Sequence, residues 1–252
     1  MSATTRDKFL GGRLTITQPA KGYRAGVDAV FLAAAVTASP GQSVLELGCG
    51  VGVASLCLQA RVGALDLTGL EVQTGYAALA RQNALENALP MEVVTGDLSD
   101  MPSQLRARQF DHVLANPPYY RRAAGTASDD AGREKALGET APLTAWVEAA
   151  VRRLHPKGYM TIIQKADRLP DLMAACDSRL GDVSVLPLVP RVGRAAELVI
   201  LRARKGARGP FRLLSPMILH SGEHHEADGD SYLAEISAIL RFSGQICVDW
   251  RK

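Results

Sequence analysis

The four residues Asn116-Pro117-Pro118-Tyr119 have the types and the spacing to bind a flat molecule that carries an amino group. The side-chain carbonyl of Asn116 and the backbone carbonyl of Pro117 can both accept hydrogen bonds from an NH2 group on a heteroaromatic ring. Positive charge that develops on this nitrogen strengthens both bonds, which favours the transition state. Tyr119 can stack on the ring, a contact worth about 1–3 kcal/mol. We predict that Asn116, Pro117 and Tyr119 are catalytic.

The segment before these residues predicts their position in the fold. Phe110 to Ala115 is a short apolar run that is typical of a buried strand. Two prolines directly after a strand end it and force an extended exit of the chain. The side chains of Asn116 and Tyr119 are therefore expected at the carboxyl edge of a sheet, where open α/β sheets bind ligands.

A glycine-rich turn forms the second informative stretch. Ser43 to Leu47 predicts a strand, Val51 to Val62 predicts a helix, and Gly48 and Gly50 lie between them. Glycines at a strand-to-helix turn let the backbone come close to a ligand. Gly48 and Gly50 are therefore predicted to bind a cofactor.

The surroundings of this turn favour one cofactor class over another. Val53 stands where a dinucleotide-binding turn needs its third glycine. Glu46 would repel a pyrophosphate, but it pairs well with an ammonium group. Both features favour S-adenosylmethionine over NAD, because S-adenosylmethionine has no phosphate and carries an α-ammonium group.

Two acidic residues end the next two predicted strands. Glu71 ends the strand from Leu65 and lies about 20 residues after the glycine turn, where an acid binds ribose hydroxyls. Asp97 ends the strand from Met91 and can accept a hydrogen bond from an adenine amine, with the Leu98 side chain against the ring. We therefore predict Glu71, Asp97 and Leu98 as cofactor-binding residues.

The motifs LELGCGVG and NPPY, with Glu71 and Asp97, resemble those of class I S-adenosylmethionine-dependent methyltransferases. Within that group, GYRAGVDAVFLAA at 22–34 resembles the bacterial family that methylates the N6 amine of adenine next to the anticodon of tRNA(Val). The resemblance extends from about residue 8 to 240. On this resemblance, the cofactor contacts fall on Glu46, Gly48, Glu71, Asp97, Leu98 and Asn116, and the base contacts fall on Asn116, Pro117, Pro118 and Tyr119.

The order of predicted elements indicates an α/β fold. Strands alternate with helices, which is typical of a doubly wound, Rossmann-like sheet. A helix is predicted from Asp167 to Leu180, with Gly181 ending it. The resemblance implies a seven-stranded methyltransferase sheet whose last strand is antiparallel. We predict an N-terminal hairpin and helix extension at 1–40, with the hairpin at 8–18 and the helix from Asp28, and a class I methyltransferase domain at 41–252.

Two polar segments carry further predictions. The glycine-containing stretch 121–141 lies beside the NPPY motif, so its basic residues are predicted to bind RNA phosphates. These residues are Arg121, Arg122, Arg133 and Lys135. The segment from His220 to Asp230 is rich in histidines and acids, but no other cluster completes a coordination shell and methyl transfer needs no metal. We predict no metal site.

Composition indicates the cellular location and the partners that we expect for the protein. The 252 residues have a net charge of +3, which permits RNA binding without arguing for it. No apolar run approaches the roughly 18–20 residues that span a bilayer, and the N-terminus lacks a secretory signal. The four cysteines are scattered, which indicates reduced thiols. We expect a cytoplasmic protein with a tRNA substrate and no membrane partner; the sequence does not indicate its oligomeric state.

Three alternatives stay open from the sequence. The NPPY chemistry also suits guanine N2 of ribosomal RNA or a glutamine amide of a release factor. An NAD-dependent oxidoreductase is disfavoured by Glu46 and Val53. A non-catalytic RNA-binding module is disfavoured by the intact NPPY motif.

Overall fold

The computed structural model describes residues 3–119, 141–222 and 231–250. The strands are β1 (Thr4–Phe9), β2 (Leu14–Pro19), β3 (Ser43–Leu47), β4 (Asp66–Glu71), β5 (Glu92–Thr95), β6 (Phe110–Ala115), β7 (Leu154–Lys165), β8 (Leu180–Val189), β9 (Leu198–Lys205), β10 (Arg212–Leu213) and β11 (Met217–Ile218). The α-helices are α1 (Val27–Ala35), α2 (Val53–Val62), α3 (Thr74–Glu86), α4 (Ser103–Arg106), α5 (Leu143–Arg153), α6 (Leu169–Ala175) and α7 (Ala234–Phe242).

The main sheet has the order β10-β8-β9-β7-β6-β3-β4-β5. Strands β5, β4, β3, β6 and β7 run parallel, whereas β9 is antiparallel to both of its neighbours, β7 and β8. The prediction of a seven-stranded α/β sheet with an antiparallel last strand is confirmed for strands β3 to β9. The two-residue strands β10 and β11 are additions that pair in parallel with β8.

Helices cover both faces of the sheet, as a doubly wound fold requires. Residues of α1, α2 and α7 pack in one core cluster, and residues of α4, α5 and α6 pack in the other. Neighbouring strand residues alternate between the two clusters: Val44 belongs to the first and Leu45 to the second. This alternation follows from the period of two along a strand, which points successive side chains to opposite faces.

The N-terminal hairpin is joined to the core through α3. It forms a two-stranded sheet of β1 and β2 that is longer than the predicted hairpin at 8–18. Fully buried Asn83 accepts a hydrogen bond from Thr17 N at 2.8 Å and donates to Thr17 O at 3.1 Å and to Val51 O at 3.0 Å. One side chain therefore joins the hairpin, α3 and the glycine-rich turn. The domain division at residue 40 stays a prediction.

The predicted helix from Asp167 to Leu180 is wrong at its C-terminal end. α6 ends at Ala175, and the Asp177 carboxylate then accepts a hydrogen bond from Arg179 N at 2.8 Å, which stabilises a turn. Gly181 does not end the helix but lies in β8, where a Cβ atom would come within 2.2 Å of Ala207 O. That glycine permits a close approach of two backbone segments.

In the three described ranges, we find no helix long and apolar enough to cross a membrane.

We predict that Asn83→Ala lowers the free energy of unfolding by about 2–4 kcal/mol, because it leaves the backbone groups of Thr17 and Val51 without their partner. Urea denaturation followed by circular dichroism measures this change. Gln82→Ala, on the exposed side of the same helix, is the matched control and should stay within about 0.5 kcal/mol of wild type. Equal stability of the two variants would contradict the bridging role.

Candidate active site

The pairing of three strands brings the predicted site residues to one edge of the sheet. Leu47 of β3 pairs with Leu70 of β4 on one side and with Ala115 of β6 on the other. The residues that follow these partners, Gly48, Glu71 and Asn116, therefore lie side by side at the carboxyl edge. β5 places its own carboxyl end next to Glu71, which pairs with Thr95.

The glycine-rich turn between β3 and α2 needs glycine at several positions. Gly48, Gly50 and Gly52 have φ values of +64°, +55° and +88°, which side chains disfavour. A Cβ atom on Gly48 would lie 2.6 Å from the ring of Trp146, so this position also requires close approach. Gly50 N donates to Glu71 Oε2 at 2.9 Å, which fixes the turn against the end of β4.

Two buried carboxyl groups stand at this turn. Glu71 Oε1 also accepts a hydrogen bond from Gln73 N at 2.8 Å, and burial raises the pKa of Glu71. Burial raises the pKa of Glu46 to about 8, against the opposing effect of its hydrogen bonds from Ser55 and with a small contribution from Glu71. A nearby cation such as the ammonium group of S-adenosylmethionine would lower both pKa values and favour the charged carboxylates, whereas a pyrophosphate would raise both pKa values further.

Glu46 also has a structural role that the sequence does not indicate. Its Oε2 accepts hydrogen bonds from Ser55 Oγ at 2.5 Å and Ser55 N at 3.0 Å, near the start of α2. The carboxyl group therefore ties β3 to the first turn of the following helix. Its contact with a cofactor ammonium stays a prediction.

Asp97 and Leu98 lie after β5, which ends two residues earlier than predicted. Asp97 is exposed, and its Oδ1 accepts a hydrogen bond from Ser99 N at 2.7 Å. Leu98 packs against the second core cluster and is partly exposed. Both lie on the same edge as Glu71, so the geometry permits the predicted contacts with an adenine.

The side-chain amide of Asn116 is held by two residues from outside the motif, Asp28 in α1 and Tyr23 in the segment before α1. Asn116 Nδ2 donates to Asp28 Oδ2 at 2.8 Å and approaches the Tyr23 hydroxyl at 3.3 Å. Among the described residues, Asn116 Oδ1 has no hydrogen-bond donor and is shielded from water. An unpaired buried carbonyl costs about 1–3 kcal/mol, which a donor from a ligand would recover once the groups that cover this oxygen move aside.

The rest of the motif is also supported from other elements. Fully buried Gln164 donates from Nε2 to the Pro117 carbonyl at 3.2 Å, which leaves that oxygen a second lone pair. Pro118 is partly exposed. The Tyr119 hydroxyl donates to Asp28 Oδ2 at 2.8 Å, and Lys165 Nζ lies 5.9 Å from the centre of the Tyr119 ring.

Four residues at the site were missed in the sequence analysis as functional residues: Tyr23, Asp28, Trp146 and Gln164. The Tyr23 ring lies 3.8 Å from the Cβ position of Gly50, so it spans the space between the turn and Asn116. The sequence places Asp28 only in the first turn of a helix. The segment GYRAGVDAVFLAA is the one signal for this part of the site, but no local pattern distinguishes Asp28 within it.

Some predictions fall outside the described residues. Arg121, Arg122, Arg133 and Lys135 all do so, as does most of the segment between His220 and Asp230. In the part of the chain that the structure describes, no three histidine, cysteine or acidic side chains come together as metal ligands would.

Two buried groups change the stability with pH in opposite directions. His112, whose pKa burial lowers to about 4, makes stability rise up to about pH 6.5, and we predict an opposing decrease between pH 4.5 and pH 8 from Glu46. Its pKa rises from 4.5 to about 8 on folding, so in this range the folded protein holds a proton that the unfolded chain has released. This contribution alone decreases the free energy of unfolding by up to about 1.4 kcal/mol per pH unit. Urea denaturation should show a shallower decrease for Glu46→Gln than for wild type, most clearly above pH 6.5, where His112 no longer contributes to the slope.

Glu148→Gln is the control for this experiment. Hydrogen bonds from Arg179 lower the pKa of Glu148, so its contribution to stability is complete above pH 4.5 and its removal leaves the slope between pH 4.5 and pH 8 unchanged. A Glu46→Gln variant with the slope of wild type would contradict the assignment.

Known proteins share both the sequence pattern and the fold. Residues 24–176 match the family model "Methyltransferase small domain". The chain is 31% identical over 196 residues to a Porphyromonas gingivalis protein named tRNA1(Val) (adenine(37)-N6)-methyltransferase, covering 72% of this chain and 76% of the relative. A Shewanella baltica protein of the same name is 28% identical over 186 residues, with coverage of 71% and 76%.

Solved structures support the fold. A predicted O-methyltransferase from Agrobacterium tumefaciens superposes with a TM-score of 0.68 at 24% identity, covering 84% of this chain and 94% of its own. A Thermus thermophilus 16S rRNA N2 G1207 methyltransferase, solved with AdoMet and guanosine, gives a TM-score of 0.54 at 19% identity, covering 81% of this chain and 50% of its own. With its fold, its glycine-rich turn and its matching sequence, the chain belongs to the Methyltransferase small domain family of S-adenosylmethionine-dependent methyltransferases.

Proposed function

We propose that this enzyme methylates the N6 amine of an adenine in tRNA, at the position next to the anticodon of tRNA(Val). The observation that carries this proposal is the Asn116 side chain, whose carbonyl lacks a donor among the described residues and lies at the edge that holds the glycine-rich turn. The substrate follows from the name of the Porphyromonas gingivalis relative at 31% identity.

The chain's own residues supply binding and orientation. S-adenosylmethionine, when bound by Glu46, Gly48, Gly50, Glu71, Asp97 and Leu98, supplies an electrophilic methyl carbon on a sulfonium. Asn116 Oδ1 and Pro117 O accept hydrogen bonds from the two N6 protons and direct the nitrogen lone pair. Pro118 and Tyr119 hold the plane of the base.

The barrier is lowered mainly by position and hydrogen bonding. The amine lone pair is delocalised into the ring, so the nitrogen is a weak nucleophile. As the nitrogen becomes positive, the bonds to Asn116 Oδ1 and Pro117 O strengthen more than in the ground state. Aligning the reacting atoms contributes further, and no general base needs to act before transfer.

We predict that Asn116→Ala lowers the rate of N6-methyladenosine formation at least about 100-fold, because the amine loses an acceptor that acts in the transition state. The substrate is tRNA(Val) from a strain that lacks the gene, and the product is measured by mass spectrometry of its nucleosides. Cofactor affinity, measured by calorimetry, should change less than about threefold.

Gln82→Ala is the control and should turn over like wild type, since Gln82 lies on the exposed side of α3. Retained turnover in Asn116→Ala would refute the role of this side chain. Methyl groups found on guanine or on a protein glutamine, with none on adenine, would refute the proposed substrate.

The basic residues after the motif complete the proposed tRNA site. Replacing Arg121, Arg122, Arg133 and Lys135 together by alanine should weaken tRNA binding and reduce its salt dependence, because each phosphate contact releases counterions. The control is the double variant Arg106→Ala/Arg152→Ala. These two residues lie at the ends of α4 and α5, which precede β6 and β7 at the opposite edge of the sheet. Filter binding at several salt concentrations measures both quantities, and an unchanged affinity and salt slope would refute this contact.

A further inference from the structure

We propose that Asp28 is a positioning residue of the active site, which sets the side-chain amide of Asn116 and the ring of Tyr119 for the substrate base. The inference rests on the proposed function, because it concerns the amine that Asn116 binds. It assigns a role in methyl transfer to α1, a helix that precedes the first strand of the main sheet.

The geometry gives the two oxygens of Asp28 separate partners. Oδ1 accepts a hydrogen bond from Gly26 N at 3.1 Å, at the start of α1. Oδ2 accepts from Asn116 Nδ2 at 2.8 Å and from the Tyr119 hydroxyl at 2.8 Å. One oxygen thus anchors the carboxylate to its own helix, and the other holds two residues of the NPPY motif.

The carboxylate decides which way the Asn116 amide faces. An asparagine amide has a donor end and an acceptor end of nearly equal shape. In the reversed orientation, Oδ1 would face the acceptor Oδ2 of Asp28, and Nδ2 would face the NH2 group of the substrate. Both contacts would be unfavourable, so Asp28 keeps the acceptor end turned toward the substrate.

The charge of Asp28 also affects the reaction itself. A hydrogen bond from an amide to a carboxylate is charge-assisted and polarises the amide, which increases the negative charge on its carbonyl oxygen. Asn116 Oδ1 then responds more strongly as positive charge grows on the amine nitrogen. Because this effect is larger in the transition state than in the ground state, removal of the charge should lower kcat more than it raises KM.

Tyr119, the second side chain that donates a hydrogen bond to Asp28 Oδ2, is also positioned by this carboxylate. Burial, followed by the nearby Asp28 charge, raises the pKa of the Tyr119 hydroxyl, so this group stays a protonated donor. With its hydroxyl bonded to Asp28 Oδ2, the ring has a fixed position beside Asn116. A fixed ring loses less freedom when a base stacks on it than a mobile ring would.

The central test is Asp28→Asn in the full chain. This isosteric change keeps an acceptor for Gly26 N and removes the charge that orients Asn116. We expect the single-turnover rate on tRNA(Val) to fall about 10- to 100-fold. KM for the tRNA should change less than about threefold, and calorimetric affinity for S-adenosylmethionine should change less than about twofold.

The matched control is Asp111→Asn. Asp111 lies in the same strand that leads to Asn116 and accepts two hydrogen bonds at 2.9 Å from Ser43, but it lies near the opposite end of that strand. Its turnover should stay within about twofold of wild type. Asp28→Asn turnover within twofold of wild type, or an equal loss of rate and cofactor affinity, would overturn the proposal.

A second readout needs neither RNA nor activity. The side-chain NH2 signals of Asn116, identified by their loss in Asn116→Ser, should show slow hydrogen exchange in wild type. These signals should shift and exchange faster in Asp28→Asn. They should also shift in Tyr119→Phe, which removes one donor to Asp28. Tyr119→Phe replaces Asp28→Asn in this test if Asp28→Asn does not fold. Unchanged signals in the folded variants would overturn the proposal. If wild type leaves adenine unmodified, the proposed function fails, and these signals still test Asp28.

Discussion

The pairing of β3 between β4 and β6 is the constraint on which the rest of the site depends. The register that joins Leu47 to Leu70 and to Ala115 sets the height at which three chain segments leave the sheet. A slip of one residue would turn every side chain of β3 to the opposite face of the sheet. Side chains that pack in one core cluster would then point into the other. Because both clusters are closely packed, the side chains of β3 fit them best in this register, which also sets the spacing between Gly48, Glu71 and Asn116.

The ionisable groups at the site are acidic, whereas the net charge of the whole chain is positive. The protein carries a net charge of +3, yet the glycine-rich turn is bordered by the carboxyl groups of Glu46 and Glu71. A third carboxyl group, that of Asp28, lies beside the NPPY motif. This arrangement suits a cofactor with positive charge in a pocket and a polyanionic substrate outside it.

The sequence predicts most of the fold, and only part of the site. Strands β3 and β6 have the predicted bounds, because their apolar runs are short and are ended by glycine or proline. The contacts that orient the motif could not be predicted, since Asp28 and Asn116 are 88 residues apart and nothing local joins them. Gln164 reads as an ordinary strand residue, although its side chain holds the Pro117 carbonyl. The predicted helix runs past the end of α6, because the turn at Asp177 depends on a side-chain hydrogen bond that the sequence does not indicate.

The hydrogen bonds of Asp28 have a consequence for how this protein can be divided. A truncated protein that begins at residue 41 keeps the complete main sheet, the glycine-rich turn and all four residues of the NPPY motif. It loses the carboxylate that turns Asn116 and the tyrosine ring that lies over the turn. Grafting the NPPY motif into another scaffold would therefore transfer its four residues without the contacts that orient the Asn116 side chain, unless residues 23–28 are transferred with it.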